Sequence, residues 1–77
     1  MTNSTYVRVR TAEDIGKIAL AAREQQNLRQ MDMADIIGKS HVLLRSIEKG
    51  NPSVSLGTVL HLLDELGIHV YLDVPKS

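Results

Sequence analysis

LRQMDMADIIGKSHVLLRSIEKG, residues 28–50, is the stretch that decides the fold of this chain. It predicts two short helices joined by a tight turn: Gln30 opens the first helix, Gly38 ends it, and Ser40 caps the second. Ala34 is a small residue at the crossing of the two helices, and the second helix carries several basic side chains beside an apolar side. Such a pair of helices is suited to insertion into the major groove of DNA.

Length and cysteine content limit what can stabilise the fold. A chain of 77 residues forms one small domain, which buries only about 60% of the surface that its unfolded form exposes. Domains of this size usually gain support from disulfides, a metal or oligomerisation. The chain has no cysteine, and its three histidines show no metal-site spacing. We therefore expect no cofactor and no metal, with oligomerisation as the remaining support.

The charged residues are segregated along the chain, although its formal net charge is zero. Residues 1–30 hold five basic and three acidic side chains, whereas residues 51–77 hold one basic and three acidic side chains. DNA binding depends on the charge of the contacting face rather than on the total, so a neutral chain remains compatible with it. The acidic residues near the C-terminus are either a solvated surface or a docking surface for a basic partner. They are Asp64, Glu65 and Asp73.

Several classes of protein find no support in the sequence. No run approaches the roughly 18 consecutive apolar residues of a membrane span, and the N-terminus has no apolar signal core. We therefore expect a cytoplasmic chain with no membrane partner. No glycine-rich phosphate loop, nucleophile elbow or pair of catalytic carboxylates occurs, so we expect that the chain is not an enzyme.

Two further helices flank the central pair. Thr11 and Asp14 form a capping box for a first helix that runs to about Gln26, and Asn27 is its left-handed terminator. A fourth helix is expected within residues 55–67, between a serine cap and a terminating glycine. The first helix carries a narrow buried stripe of Ile15, Ile18, Ala19 and Ala22. The fourth has an apolar face too wide for an ordinary surface helix, which we interpret as core plus dimer interface; it consists of Leu56, Val59, Leu60, Leu62, Leu63 and Leu66.

The C-terminal residues 68–74 alternate between apolar and polar side chains, which predicts a β-strand. Because a single strand leaves backbone groups unpaired, it needs a partner. That partner is either residues 6–10, which also alternate, or the same strand of a second chain. We favour the second chain, which predicts a homodimer. The apolar face of this dimerisation strand consists of Ile68, Val70, Leu72 and Val74.

The predicted fold class is mainly α: four helices with a C-terminal β-strand that pairs across a homodimer. Residues 1–10 are predicted to be a flexible or extended N-terminal arm, residues 11–67 the DNA-binding domain, and residues 68–77 the dimerisation strand and tail. Within the arm, Arg8 and Arg10 are either solvated side chains of a frayed end or contacts to a DNA phosphate.

Residues 12–67 resemble the lambda-repressor/Cro-like (XRE-type) helix-turn-helix family. The matching positions, at the family's spacing, are Gln30, Ala34, Gly38, Leu44, Ile47 and the triplet Glu48, Lys49 and Gly50. The C-terminal part, with a strand in place of the usual fifth helix, resembles the HipB-type antitoxins. The resemblance implies a homodimer that binds double-stranded DNA at a palindromic operator, represses its own operon and binds a HipA-type serine/threonine kinase toxin.

The same resemblance assigns roles to individual residues. It places Gln30 against a phosphate and Arg45 against guanine, whose O6 and N7 atoms match a planar guanidinium. The residues at the family's groove-facing positions are Lys39, Ser40, His41, Val42 and Arg45, with Ser46 at the margin. Two departures from the family pattern stand out: Arg29 replaces a threonine or serine cap, and residues 42–44 make the second helix more apolar.

Two alternatives to an antitoxin remain. The first is a stand-alone repressor without a toxin, which would bind DNA equally well. The second is a protein-interaction module that keeps the fold and has lost DNA binding, favoured by the zero net charge and the apolar residues 42–44. An Arg45→Ala substitution distinguishes the second alternative from a repressor. It should weaken operator binding by a repressor, whereas an interaction module has no operator affinity to lose.

Overall fold

Four α-helices make up the regular structure of residues 5–76, the part of the chain that the computed structural model describes. They are α1 (Ala12–Gln25), α2 (Gln30–Ile37), α3 (His41–Glu48) and α4 (Leu56–Glu65). The four predicted helices are confirmed in number and order. Residues 1–4 of the predicted arm and residue 77 of the predicted tail lie outside the described residues. Within residues 5–76, no helix is long and apolar enough to cross a membrane.

Hydroxyl side chains begin three of the four helices. The Thr11 hydroxyl accepts a hydrogen bond from the backbone N–H of Asp14, whose carboxylate accepts one in return from the Thr11 N–H, which confirms the capping box. Ser40 and Ser55 cap α3 and α4 in the same way. Arg29, at the start of α2, makes no side-chain cap, as its chemistry predicts.

Residues in the left-handed region end the helices where the sequence predicts an end. Asn27, with φ 58°, follows α1, and Gly38, with φ 69°, follows α2. An L-residue other than glycine pays a steric cost in this region, and asparagine tolerates it better than most because its short side chain bonds locally. The turn between α2 and α3 is therefore set by local chemistry.

The core lies where α2, α3 and α4 meet the middle of α1. Leu44 and Leu62 are completely buried, and Ala34 is nearly so. The full set of buried apolar residues is Ala19, Met33, Ala34, Ile37, Leu44, Ile47, Leu62, Leu63 and Leu66. Only Ala19 of the stripe predicted on α1 is fully buried, since Ile15 and Ala22 pack at the edge of the core and Ile18 is half-buried.

A glycine that the sequence patterns did not single out lies at the contact between α1 and the end of α3. Gly16 of α1 is buried against the end of α3, where a Cβ atom would lie 2.5 Å from the Ile47 carbonyl oxygen and 2.7 Å from that of Glu48. Both neighbours are backbone atoms, which cannot rotate away as a side chain can. Glycine is therefore required for α1 and α3 to pack at this distance.

The C-terminal segment leaves α4 without joining a sheet in the described part of the chain. Ile68 packs against the core, whereas Val70, Leu72 and Val74 are exposed. A strand is defined by ladder hydrogen bonds, and one copy of the chain supplies no ladder partner to residues 68–74. The strand and its pairing across a homodimer therefore stay predictions.

Candidate nucleic-acid interface

The turn between α2 and α3 sets the angle at which α3 projects. The Lys39 N–H donates to the Ala34 carbonyl oxygen at 2.9 Å and the Gly38 N–H to the Asp35 carbonyl oxygen at 3.1 Å. These bonds satisfy the last carbonyls of α2 within the left-handed turn. Since Ala34 lies at the buried contact between the two helices, the small side chain lets α3 pack directly across α2.

Helix α3 has one buried side and one side that faces solvent. Leu44 and Ile47 lie in the core, with 0% and 3% of their surface exposed. The residues predicted to face the groove are on the other side, and all five are exposed: Lys39, Ser40, His41, Val42 and Arg45. The structure thus brings two cationic side chains, a hydroxyl, an imidazole and an apolar side chain together on one accessible helical surface. We call this set of five residues the α3 face.

The amino end of α3 belongs to this surface. The Ser40 hydroxyl accepts a hydrogen bond from the Leu43 N–H at 3.2 Å, which confirms its role as a cap. A helix amino terminus directs partly positive N–H groups outward and attracts anions such as phosphate. Ser46, predicted at the margin, is half-buried, and its hydroxyl lies 3.4 Å from the Asn51 amide nitrogen.

Gln30 occupies the amino end of α2, but part of its hydrogen-bonding capacity is used inside the protein. Its Nε2 atom donates to Glu48 Oε1 at 2.9 Å, and the residue is half-buried. A glutamine amide carries two N–H donors, so one remains for an outside acceptor. The phosphate contact assigned to Gln30 stays a prediction, now with a defined side-chain orientation.

An ion pair behind the α3 face joins the helices that present it. Arg23 of α1 donates from Nε to Glu48 Oε2 at 2.7 Å and from Nη2 to Glu48 Oε1 at 3.1 Å. Its Nη1 atom also donates to the Leu28 carbonyl oxygen at 2.7 Å. The hydrogen bonds to Glu48 raise the pKa of the Arg23 guanidinium. One carboxylate therefore connects α1 and α2 to the last turn of α3.

Sequence patterns did not identify this pair. Glu48 was noted as part of a family triplet, but Arg23 lies 25 positions earlier and looks like any other basic residue in the last turn of a helix. A signal was nevertheless present, since Glu48 directly follows the core residue Ile47, and a glutamate whose side chain turns inward needs a partner.

A second ion pair lies at the entrance to α2 and is exposed. Arg29 Nε donates to Asp32 Oδ2 at 2.9 Å, and this hydrogen bond lowers the pKa of the Asp32 carboxyl below its usual value. The guanidinium of Arg29 is solvent-accessible, with 83% of its side-chain surface exposed. Arg29 occupies the cap position of α2, and its side chain contacts Asp32 instead of capping the helix.

Comparisons with known sequences agree with this geometry. A family model described as "Helix-turn-helix" matches residues 20–72 of the chain. An uncharacterized HTH-type transcriptional regulator of Sinorhizobium fredii is 34% identical over 68 residues, which cover 88% of this chain and 90% of that protein.

Solved structures share the fold at lower sequence identity. A chain in the structure of a HipA–HipB–O2–O3 complex is 21% identical with a TM-score of 0.80, and the similarity covers 92% of this chain and 100% of that chain. A chain in a HipB–O4 20mer complex is 18% identical with a TM-score of 0.81 over the same shares. The four-helix, mainly α architecture described above is therefore HipB-like.

Proposed function

The chain belongs to the helix-turn-helix family and is a DNA-binding transcriptional regulator, and we propose that it is the antitoxin of a type II toxin–antitoxin system. In this proposal a homodimer represses its own operon and also binds a HipA-type serine/threonine kinase toxin. The α3 face carries the proposal, because it is exposed, partly cationic and held by a buried scaffold. These are the requirements for a helix that enters a major groove.

We assign two kinds of contact to the predicted site residues. Lys39 and Gln30 donate to phosphate oxygens, together with the amino end of α3 at Ser40, and these contacts fix the position of the protein on the duplex. His41, Val42, Arg45 and Ser46 are assigned to the edges of the bases. Arg45 suits guanine, which offers O6 and N7 as a pair of acceptors in the major groove.

Val42 suits a different kind of base contact. Its side chain is 63% exposed on the α3 face, where an apolar group contributes nothing to solubility. The C5 methyl group of thymine is the apolar feature of the major groove. The apolar character that favoured an interaction module is thus compatible with base reading, and the binding experiment below decides between the two.

A dimer gives the site its second half. Two α3 faces related by a two-fold axis read half-sites about one helical turn apart, or a multiple of that spacing, on a palindromic operator. We assign dimerisation to residues 68–74, where the apolar residues Val70, Leu72 and Val74 are exposed in a single chain. Residues 11–67 then form the DNA-binding domain and residues 68–77 the dimerisation segment and tail.

The toxin partner is supported by the likeness to a chain in the HipA–HipB–O2–O3 complex. The acidic residues of the C-terminal region are the surface we assign to a basic region of this partner. Asp64 and Glu65 are both exposed at the end of α4, and Asp73 is exposed in the segment that follows.

The first experiment measures binding of the full chain to the DNA immediately upstream of its own gene. The duplex is compared with a scrambled sequence of equal length and composition at several salt concentrations. Saturable, selective binding whose affinity falls steeply with salt is expected. Equal affinity for both duplexes at low salt would reject the repressor and favour the interaction module.

The toxin is tested separately. Co-expression of the chain with the product of the neighbouring gene, followed by purification through a tag on the chain, is expected to retain a kinase-like partner. Recovery of the chain alone, with operator binding intact, would reject the antitoxin role and leave a stand-alone repressor.

A further inference from the structure

Two segments that are remote in sequence lie side by side on the surface. The rings of Tyr6 and Tyr71 have centroids 5.5 Å apart and planes inclined by 42°. This contact brings the N-terminal residues 6–10 against the C-terminal residues 68–74. Both segments lack helical structure and both alternate in polarity.

The tyrosine contact also indicates how the two segments would align. Successive side chains of an extended chain point to opposite faces, so residues two apart share a face. If Tyr6 and Tyr71 share one face, the residues beside them on that face are Arg8, Arg10, His69 and Asp73. The opposite face then consists only of apolar residues, namely Val7, Val9, Ile68, Val70, Leu72 and Val74.

This alignment puts the polar side chains of both segments on one face and the apolar side chains on the other. The polar face carries Arg8 and Arg10 on one segment and Asp73 on the other, and opposite charges on neighbouring strands attract. The apolar face is uncovered in a single chain: Val7 is 64% exposed and Leu72 is 82% exposed. A shift of one residue would mix the two sets and lose both properties.

The N-terminal segment is held at its other end as well. The Arg10 N–H donates to Asp14 Oδ2 at 2.9 Å, and the Thr11 N–H donates to the same oxygen at 3.1 Å. Asp14 belongs to the first turn of α1, so the segment starts from a defined position. With Tyr6 against Tyr71 and Arg10 bonded to Asp14, both of its ends are placed.

Residues 6–10 make no ladder hydrogen bonds to residues 68–74 in a single chain. We propose that they become the outer strand beside residues 68–74 of the same chain when a second copy of this chain completes an intermolecular sheet. The inference rests on the homodimer proposed above and extends it from two strands to four. The order is N-terminal segment, C-terminal segment, partner's C-terminal segment, partner's N-terminal segment.

Three observations favour a second copy as the occupant. A strand has two edges, and once residues 6–10 take one edge of residues 68–74, the other still carries unpaired N–H and C=O groups. Two-fold pairing of identical segments fills that edge in both chains at once. The formal net charge of the chain is zero, so two copies meet without overall repulsion.

The first test compares two lysine substitutions of equal charge in the N-terminal segment. Val7→Lys places a cation on the apolar face of the proposed sheet, whereas Thr5→Lys adds the same charge just outside it. Both side chains are exposed in a single chain, so neither change affects the core. Val7→Lys is expected to displace the outer strand and leave a two-stranded sheet, which is only marginally stable. Sedimentation equilibrium on the full chain is therefore expected to show a dimer dissociation constant at least tenfold higher for Val7→Lys and within twofold of the original for Thr5→Lys. Equal dissociation constants for all three proteins would overturn the proposal.

The second test uses the absence of cysteine in the chain. In a Tyr6→Cys/Tyr71→Cys double variant, mild oxidation is expected to form a disulfide within each chain of the dimer, since facing positions on adjacent strands bring Cβ atoms within bridging range. The single variant Tyr71→Cys is the control for a link between the paired C-terminal segments of the two copies. Covalently linked dimers of the double variant that this control does not form would show that the N-terminal segment pairs with the other copy, and no disulfide would show that it does not pair. Either result overturns the proposal. Operator binding, measured on the same samples, reports on the proposed function separately.

Discussion

The Arg23 guanidinium and the Glu48 carboxylate meet through two hydrogen bonds, of 2.7 Å and 3.1 Å, between α1 and the last turn of α3. Only 11% of the Arg23 side-chain surface and 5% of the Glu48 side-chain surface are exposed. The same carboxylate accepts a hydrogen bond from Gln30 on α2. The helix that carries the α3 face is therefore tied to both preceding helices by a single charged group.

Glu48→Gln is expected to destabilise the fold strongly, because it leaves Arg23 as a buried cation without a counter-charge. Breaking a buried pair in this way costs about 3–5 kcal/mol, a large part of the roughly 5–15 kcal/mol available to a domain. Urea unfolding at neutral pH measures the loss as a lower midpoint. Asp32→Asn is the matched control, since it removes one carboxylate from the exposed pair with Arg29. Similar midpoints for the two variants would contradict a structural role for the buried pair.

Gly16→Ala is expected to force α1 away from α3, because the added methyl group would meet the Ile47 carbonyl oxygen at 2.5 Å. Overpacking of this kind costs about 1–3 kcal/mol. Gly57→Ala provides the control within α4, where a Cβ meets nothing within 4 Å. That change is expected to stabilise the fold by about 0.4–1 kcal/mol by restricting the unfolded chain. Thermal unfolding followed by circular dichroism should shift in opposite directions for the two variants, and a shift in the same direction would contradict the packing described.

Arg45→Ala and Lys39→Ala are expected to weaken operator binding in different ways. Loss of a base contact by Arg45 should reduce the binding free energy by about 1–3 kcal/mol on the operator and by little on a scrambled duplex. The affinities of the variant for the two duplexes should therefore be closer than those of the original chain. Loss of a phosphate contact by Lys39 should weaken both duplexes alike and reduce the salt slope by about 1. Fluorescence anisotropy titrations at several salt concentrations measure both effects. If the two variants lost affinity in the same pattern, the assignment of base and phosphate contacts would be wrong.

Asp14→Asn is expected to reduce stability near neutral pH and to matter less in acid. Hydrogen bonds from the backbone N–H groups of Arg10 and Thr11 hold the pKa of the Asp14 carboxyl below its usual value. The folded state thus binds this proton less readily than the unfolded chain. The stabilisation is complete above the unfolded pKa of about 3.9 and disappears as the pH falls through the folded value.

The measurement for Asp14 is the thermal midpoint of the original chain and the variant between pH 7 and pH 2. Their difference should begin to shrink as the pH falls below about 4 and should disappear below the folded pKa, where the native carboxyl is neutral too. Asp64→Asn removes the same charge from an exposed position on α4, away from the cap, and serves as the control. If the thermal midpoint of Asp14→Asn differed from that of the original chain by the same amount at pH 7 and at pH 2, the Asp14 carboxylate would have no role in the cap.

The residues that begin and end the helices show how far sequence alone leads. Thr11, Ser40 and Ser55 were expected as caps, and each accepts the hydrogen bond that defines one. Asn27 was expected as a left-handed end and Gly38 as the end of its helix, and each has a positive φ. The exposed side of α3 likewise follows from its periodicity, because Leu44 and Ile47 must face the core.

Long-range contacts were outside the reach of those patterns. No residue near Gln30 in the sequence indicates that one of its two amide N–H groups donates to Glu48. Likewise, no residue near Gly16 indicates that the backbone at the end of α3 leaves no room for a Cβ atom there. The exposed apolar face of residues 68–74 was expected from alternation. Residues 6–10 were one of the two partners that the sequence left open for this segment, and the contact between Tyr6 and Tyr71 places them beside it.

The sequence by itself determined the number and order of the helices, their caps and ends, and which side of α3 meets solvent. These properties depend on residues within about one turn of each other, where propensity, capping and periodicity act. Only the tertiary structure decided that Arg23 bonds to Glu48, that α3 packs closely on Gly16, and that residues 6–10 lie beside residues 68–74. Such contacts join residues far apart in the chain, and their formation depends on how whole helices pack rather than on any local preference.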